Sequence, residues 1–144
     1  MYDSIVVGTD GSPTADQALA RAADLAEKMG GRLHVISAYE PAVARVGGRG
    51  PAPEAGDWDL GPDFKVDAVL ERATGSVRRG GLDVEVHARK GDPADGILDV
   101  AREVNADLIV LGSKGMHGAR RLLGSVPNKV SHSAPCDVLI VHTA

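Results

Sequence analysis

Short apolar runs that alternate with segments of helical periodicity are the feature that most constrains the fold of this chain. The runs 5–8, 108–111 and 138–141 contain consecutive apolar residues without alternation, which is typical of strands covered on both faces. Residues 33–39 form a further strand-like run. Residues 82–88 alternate, which indicates a strand with one wetter face, as at a sheet edge.

Helix signals lie between these runs. Ser12 and Pro13 are typical of an N-cap and a first helical residue, apolar residues follow at helical spacing, and Gly30-Gly31 predicts the helix end. Further helices are predicted over 64–79, 93–104 and 126–132. The predicted fold is therefore a single doubly wound α/β domain over residues 1–144. It has five parallel strands in the order 3-2-1-4-5 and about four helices on both faces.

Composition excludes several classes of protein. A net charge of -4 and few aromatic residues argue against a nucleic-acid surface. No apolar run approaches the roughly 18 residues of a membrane span, and the first residues do not resemble a signal peptide. The single cysteine, Cys136, excludes an internal disulfide. These observations predict a cytoplasmic protein without membrane or nucleic-acid partners.

Two segments stand out from this background. Residues 41–62 are rich in Gly and Pro and are predicted to form a flexible loop, with a lid over a ligand as the alternative. Residues 112–136 carry Lys114, Arg120, Arg121 and Lys129 and no acidic residue. A local basic segment in an acidic protein favours an anionic ligand, whereas solvent-exposed cations and turn glycines would need none.

Ligands of doubly wound sheets bind beyond the carboxyl ends of the strands, where the strand order reverses. The loops after the first strand (8–12) and after the fourth (112 onward) are the candidates. Familiar phosphate and hydrolase motifs are absent: the chain has no G-x-x-x-x-G-K-[ST], no G-x-G-x-x-G after the first strand and no G-x-S-x-G. The five histidines show no ligand spacing, so no metal site is expected.

Five segments together resemble the nucleotide-binding type of universal stress protein, as found in actinobacteria, and they cover nearly the whole chain. They are Ile5-Val-Val-Gly-Thr-Asp-Gly-Ser12, Gly91-Asp-Pro93, Leu111-Gly-Ser-Lys-Gly115, Leu123-Gly-Ser-Val-Pro127 and Ala134-Pro-Cys-Asp-Val-Leu-Ile-Val141. The nucleotide signature of that family is G-x2-G-x9-G-[ST]. Here Gly112, Gly115, Gly124 and Ser125 match it, but eight residues, 116–123, stand where the family has nine.

The resemblance implies a site for an adenine nucleotide, ATP with Mg²⁺, at the carboxyl edge of the sheet. Asp10 would lie beside the ribose or a phosphate-bound ion, and Ala38 would contact the adenine. The other implied binding residues are Gly8, Thr9, Gly112, Gly115, Gly124, Ser125 and Val126.

The resemblance also implies a stress-response role and a homodimer formed through the last strand, residues 137–142. No nucleophile, base and orienting group occur together in the sequence. We therefore expect no catalytic residues and at most slow, incidental ATP hydrolysis. Two alternatives stay open: a cyclic-AMP-binding buffer protein of the same fold, which the shortened glycine segment could suit, and a nucleotide-free interaction module whose glycines are structural.

Overall fold

The computed structural model describes residues 2–39, 62–77, 81–113 and 125–143. These residues form five strands and four helices. The strands are β1 (Ser4–Gly8), β2 (Arg32–Tyr39), β3 (Asp83–Lys90), β4 (Leu108–Gly112) and β5 (Asp137–Val141). The helices are α1 (Pro13–Met29), α2 (Pro62–Val77), α3 (Pro93–Glu103) and α4 (Ser125–Ser133). None of the described helices combines the length and apolar character needed to cross a bilayer.

The five strands form one parallel sheet in the order β3-β2-β1-β4-β5, which confirms the predicted fold class. The central strand β1 pairs with β2 on one side and with β4 on the other. Ile5, Val6 and Val7 have no solvent exposure, as an unalternating apolar run requires. The strand with alternating residues, β3, lies at one edge of the sheet, as predicted. Neither of its faces is buried, however, and Val86 on its apolar side is 46% exposed.

Each face of the sheet carries its own apolar layer. On one face, the alanine-rich side of α1 packs with Leu70 and Val77 of α2 against Ile5 and Val7. On the other face, α3 and Val130 of α4 pack against residues that include Val6. Adjacent residues of β1 thus belong to opposite layers, as strand geometry demands. The prediction of helices on both faces is confirmed.

The first helix begins and ends as its sequence indicates. Ser12 adopts an extended conformation, and its hydroxyl accepts a hydrogen bond of 3.2 Å from the amide of Ala15. Pro13 follows as the first helical residue, where its missing N–H costs nothing. Gly30 ends α1 in the left-handed conformation, with φ of 69°. The amide of Gly31 then donates to the carbonyl of Ala26 at 2.9 Å.

Three details differ from the sequence-based expectations. α2 begins at Pro62 rather than Phe64, so Pro62, predicted as the last residue of a loop, is helical; the rest of the predicted loop, 41–61, lies outside the described residues. α4 begins at Ser125, one residue before its predicted start at 126. β5, predicted as a strand buried on both faces, is half-buried at residues 138–140 and buried only at Val141, because it is the last strand at the edge opposite β3.

Gly31 is the glycine on which the α1–β2 turn most depends. A Cβ built there would lie 2.6 Å from the carbonyl oxygen of Tyr2, and backbone cannot move away as a flexible side chain can. We expect Gly31→Ala to lower the free energy of unfolding by roughly 1–3 kcal/mol, as measured by urea denaturation. Gly75→Ala is the matched control, because Gly75 is exposed in α2 and has open space around it. Equal stability of the Gly31→Ala variant and the unsubstituted protein would contradict the close approach.

Candidate functional site

A cleft opens at the carboxyl ends of β1, β2 and β4, where the strand order reverses between β1 and β4. The N-terminal ends of α1, α3 and α4 surround it. The cleft is open to solvent on one side, and the space it spans, including the solvent-facing part, is about 620 Å³. The lining residues are Gly8, Thr9, Asp10, Thr14, Ala15, Ile36, Ala38, Pro93, Ile97, Leu111, Gly112, Val126 and Pro127.

Six of the nine residues implied by the family resemblance line this cleft. They are Gly8, Thr9, Asp10, Ala38, Gly112 and Val126. Ser125 is exposed at the start of α4 and is not among the lining residues. Gly115 and Gly124 lie outside the described residues, as do the eight residues between them. The structure thus brings together residues that are more than a hundred positions apart in the sequence.

The chain leaving β1 forms an ordered turn along the cleft. The amide of Thr9 donates to the carbonyl of Ile36 at 3.0 Å and so extends the β1–β2 pairing by one bond. The hydroxyl of Thr9 accepts from the amide of Gly11 at 3.1 Å. Asp10 Oδ1 accepts from the amide of Ser12 at 2.9 Å, a local turn typical of Asp. The exposed carboxylate of Asp10 is thereby held at the cleft mouth.

The glycines at the ends of β1 and β4 leave room in the crowded base of the cleft. A Cβ on Gly8 would lie 2.8 Å from Cδ1 of Ile97, and one on Gly112 would lie 3.3 Å from Cγ2 of Thr143. A larger residue at either position would have to displace these neighbours. Glycine at the ends of β1 and β4 therefore avoids these close contacts and leaves space at the base of the cleft.

Sequence reasoning missed the apolar floor of the cleft, which includes Ile36, Ile97 and Leu111. A signal for Ile36 was present, because Ile36 and Ala38 are two residues apart on one strand and must share a face. Ile97 falls within the helix predicted over 93–104, but its place beside β1 follows from how α3 docks on the sheet. An apolar floor with polar groups at the rim suits a flat, partly apolar ligand.

The start of α3 brings charged groups near the cleft. Asp92 caps this helix, since its carboxylate accepts from the amide of Asp95 at 3.0 Å. That hydrogen bond, with a contribution from Lys129, lowers the pKa of the Asp92 carboxyl. Lys129 of α4 lies 3.3 Å from Asp92 Oδ2 and 3.0 Å from Asp95 Oδ1. One cation of the basic segment is therefore already paired with carboxylates, and the other three lie outside the described residues.

Comparisons with known proteins give a consistent result. Residues 1–142 match the model of the universal stress protein family. A universal stress protein of Mycobacterium tuberculosis is 37% identical over 150 aligned residues, which cover 99% of this chain and 97% of the relative. One from Thermus aquaticus is 39% identical and covers 98% of this chain and 99% of its own length.

Solved structures of this family have the same fold. A universal stress protein crystallised in complex with cyclic AMP has a TM-score of 0.75 and 35% identity, with 99% of each chain covered. A universal stress protein from Archaeoglobus fulgidus in complex with dAMP has a TM-score of 0.71 and 26% identity, with 97% of this chain and 98% of that one covered.

The cap of α3 provides a pH-dependent test of the geometry beside the cleft. Folding lowers the pKa of the Asp92 carboxyl below its ordinary value of 3.8. The carboxylate therefore stabilises the folded protein at pH values above 3.8, and this stabilisation is lost as the pH falls through the lowered pKa. We expect Asp92→Ala to cost about 1 kcal/mol of unfolding free energy at neutral pH and less in acid.

Asp92→Ser is the matched variant, because a serine hydroxyl can still accept from the Asp95 amide. Urea denaturation at several pH values should show Asp92→Ser close to the unsubstituted protein at neutral pH. If the serine variant were as unstable as the alanine variant, or if the cost of Asp92→Ala did not change with pH, the capping role would be wrong.

Proposed function

Because this chain belongs to the universal stress protein family, we propose that it binds an adenine nucleotide in the cleft and acts as a nucleotide-responsive regulatory protein. One observation carries the proposal: residues implied by the family resemblance, among them Asp10, Ala38 and Gly112, line a single cleft at the switch point of the sheet. A related protein that is 35% identical has been crystallised with cyclic AMP, and this supports the same ligand class.

Each part of an adenine nucleotide has a physically suitable counterpart in the cleft. The adenine would lie on the apolar floor beside Ala38 and Ile36. The ribose would lie near Asp10, whose carboxylate can accept from sugar hydroxyls. The phosphates would lie toward the start of α4, because free amides and the helix dipole there favour negative charge. Ser125 and the glycine-rich segment before it, residues 112–124, would contribute hydrogen bonds to the phosphates.

ATP with Mg²⁺ is the nucleotide we propose on the basis of the family motif. The exposed carboxylate of Asp10 would repel a bare triphosphate, and a divalent cation between them would remove that repulsion. We propose binding without turnover and assign no catalytic residue.

Cyclic AMP is a second candidate that one feature of the site favours. Lys129 is engaged with Asp92 and Asp95, which leaves it less available to neutralise a triphosphate. A single cyclic phosphate carries one negative charge and needs less compensation. The crystallised relative with bound cyclic AMP points in the same direction.

We also propose that the chain forms a homodimer through β5. Val138, Leu139 and Ile140 are half-buried in the single chain, and β5 is the last strand at its edge of the sheet. An apolar edge strand of this kind needs to be covered, and pairing with the same strand of a second copy would cover it symmetrically.

Filling the cleft at Ala38 should separate nucleotide binding from folding. We expect Ala38→Leu to weaken binding roughly tenfold or more, about 1.4 kcal/mol, because the added side chain occupies space meant for the base. Isothermal titration calorimetry with ATP and Mg²⁺, and separately with cyclic AMP, measures the effect and ranks the two nucleotides.

Ala88→Leu is the matched control. Ala88 lies on the neighbouring strand β3, is exposed and does not line the cleft, so this variant should bind as the unsubstituted protein does. If neither nucleotide bound to the unsubstituted protein, the nucleotide-free interaction module would be the correct reading. If Ala88→Leu weakened binding as much as Ala38→Leu, the ligand would not lie in this cleft.

Asp10→Asn distinguishes the two roles open to this side chain. The amide oxygen of asparagine can still accept from the Ser12 amide, so the turn should persist while the charge is removed. If Asp10 holds a phosphate-bound cation, the variant should lose the Mg²⁺ dependence of ATP binding and leave cyclic AMP binding nearly unchanged. If Asp10→Asn weakened the binding of both nucleotides equally, the carboxylate would instead contact the ribose. If it changed the affinity for neither nucleotide, Asp10 would not belong to the binding site.

A further inference from the structure

Three side chains with metal-ligand chemistry meet on the α3 side of the β2–β3 pair, outside the cleft. His34 Nδ1 lies 3.0 Å from His87 Nε2 and 3.2 Å from Glu85 Oε1. One ligand atom from each of the three residues lies within 4.8 Å of those from the other two. We propose that His34, Glu85 and His87 bind a divalent transition-metal ion of the Zn²⁺ class, with a fourth position open to solvent or a further ligand.

Strand register brings the three residues together. β2 and β3 are parallel, with His34 opposite Glu85 and Ile36 opposite His87. Because side chains alternate along a strand, Glu85 and His87 share the face on which His34 lies. The chain separates the first histidine from the second by 53 positions, so no spacing of the H-x3-H kind could reveal the cluster.

The distances suit a tetrahedral metal ion. Two ligands bound to Zn²⁺ at about 2.0–2.1 Å and at tetrahedral angles lie about 3.3 Å apart. The two separations from His34 Nδ1, 3.0 Å to His87 and 3.2 Å to Glu85, are within a few tenths of an ångström of this value, and the ligand atoms of Glu85 and His87 lie within 4.8 Å of each other. Two histidines and one glutamate also form a recognised ligand set for Zn²⁺ sites that keep one position open.

Hydrogen bonding alone satisfies this arrangement poorly. His34 Nδ1 faces both a carboxylate oxygen and a second imidazole nitrogen, and a neutral ring carries at most one proton at that atom. If that proton points at Glu85 Oε1, it cannot also point directly at His87 Nε2, so one N–H must be shared between two acceptors. If His34 Nδ1 instead accepts a proton from His87, the carboxylate of Glu85 receives no hydrogen bond from this atom. A cation in place of the proton is attracted by the lone pairs of all three ligand atoms.

The surroundings also favour a cation. Arg32 forms a 2.8 Å ion pair with Asp83 on one side of the cluster, and Arg89 pairs with Glu103 on the other. The charges of these two arginines are thus compensated, and the carboxylate of Glu85 can complement a dication.

Access to the cluster is from the edge of the sheet. The side chain of His34 is 4% exposed, whereas that of Glu85 is 53% exposed, and His87 is half-buried. The buried histidine would form a rigid base for the ion, and the open side would admit water or another ligand. Ile36, the next residue of β2 on this face, already belongs to the cleft, yet the metal site needs no nucleotide.

The test uses Zn²⁺ and Co²⁺ with the whole chain after removal of metals by a chelator. Isothermal titration should show one Zn²⁺ per chain. Co²⁺ should give the strong visible absorption of a four-coordinate ion rather than the weak absorption of a six-coordinate one. We expect His87→Ala and Glu85→Gln each to weaken Zn²⁺ binding roughly tenfold or more, because even residues outside the ligand shell cost that much in known sites.

His132→Ala is the matched control, since His132 is exposed on α4 and does not belong to the cluster; its Zn²⁺ affinity should be unchanged. Glu85→Gln keeps the size of an exposed side chain and decides the question even if His87→Ala fails to fold. The proposal is overturned if Zn²⁺ binds both cluster variants as tightly as the unsubstituted protein, if Co²⁺ gives only the six-coordinate spectrum, or if His132→Ala weakens binding equally.

Discussion

The pairing of β1 with both β2 and β4 is the constraint on which the rest of this structure depends. Three consecutive apolar residues of β1 are fully buried, so the strand must lie in the middle of the sheet with helices on both sides. The chain then leaves β1 at the point where the strand order reverses. The cleft exists because the connections from β1 and β4 depart to opposite faces there.

The cleft offers fewer uncompensated groups to attract an anion than the basic segment of the sequence indicates. Three helices begin around it, and helix N-termini favour anions. However, the side chains of Ser12 and Asp92 already accept hydrogen bonds from backbone amides at the starts of α1 and α3. Lys129 is likewise shared between two carboxylates. The remaining attraction for phosphate would come from α4 and the glycine-rich segment. This balance is why we rank cyclic AMP as a serious second ligand beside ATP.

The sequence predicted the fold well because its signals are local. Unalternating apolar runs mark buried strands, and the N-cap, proline and double glycine mark the ends of α1, so element types and the sheet class followed directly. Contacts between side chains on different strands or helices could not be predicted from the sequence. The contact between His34 and His87 depends on the β2–β3 register, and the pairing of Lys129 with Asp92 depends on how α3 and α4 pack. The half-exposure of β5 follows from its place at the edge, which an apolar run alone does not reveal.

For the site itself, the resemblance to the universal stress protein family predicted six of the residues that line the cleft. The alternation of side chains along β2 could also have predicted Ile36, which lies two residues from Ala38. Helix docking, which positions Ile97 under the cleft, has no signature in a single sequence.

Amide chemical-shift mapping by NMR tests the central claim most directly, because it reports where a nucleotide binds as well as whether it binds. With ATP and Mg²⁺, or with cyclic AMP, the largest shifts should occur at Gly8, Thr9, Ala38 and Gly112, around the cleft. Shifts confined to β3 or to the outer turns of α2, or no shifts with either nucleotide, would contradict nucleotide binding at the switch point.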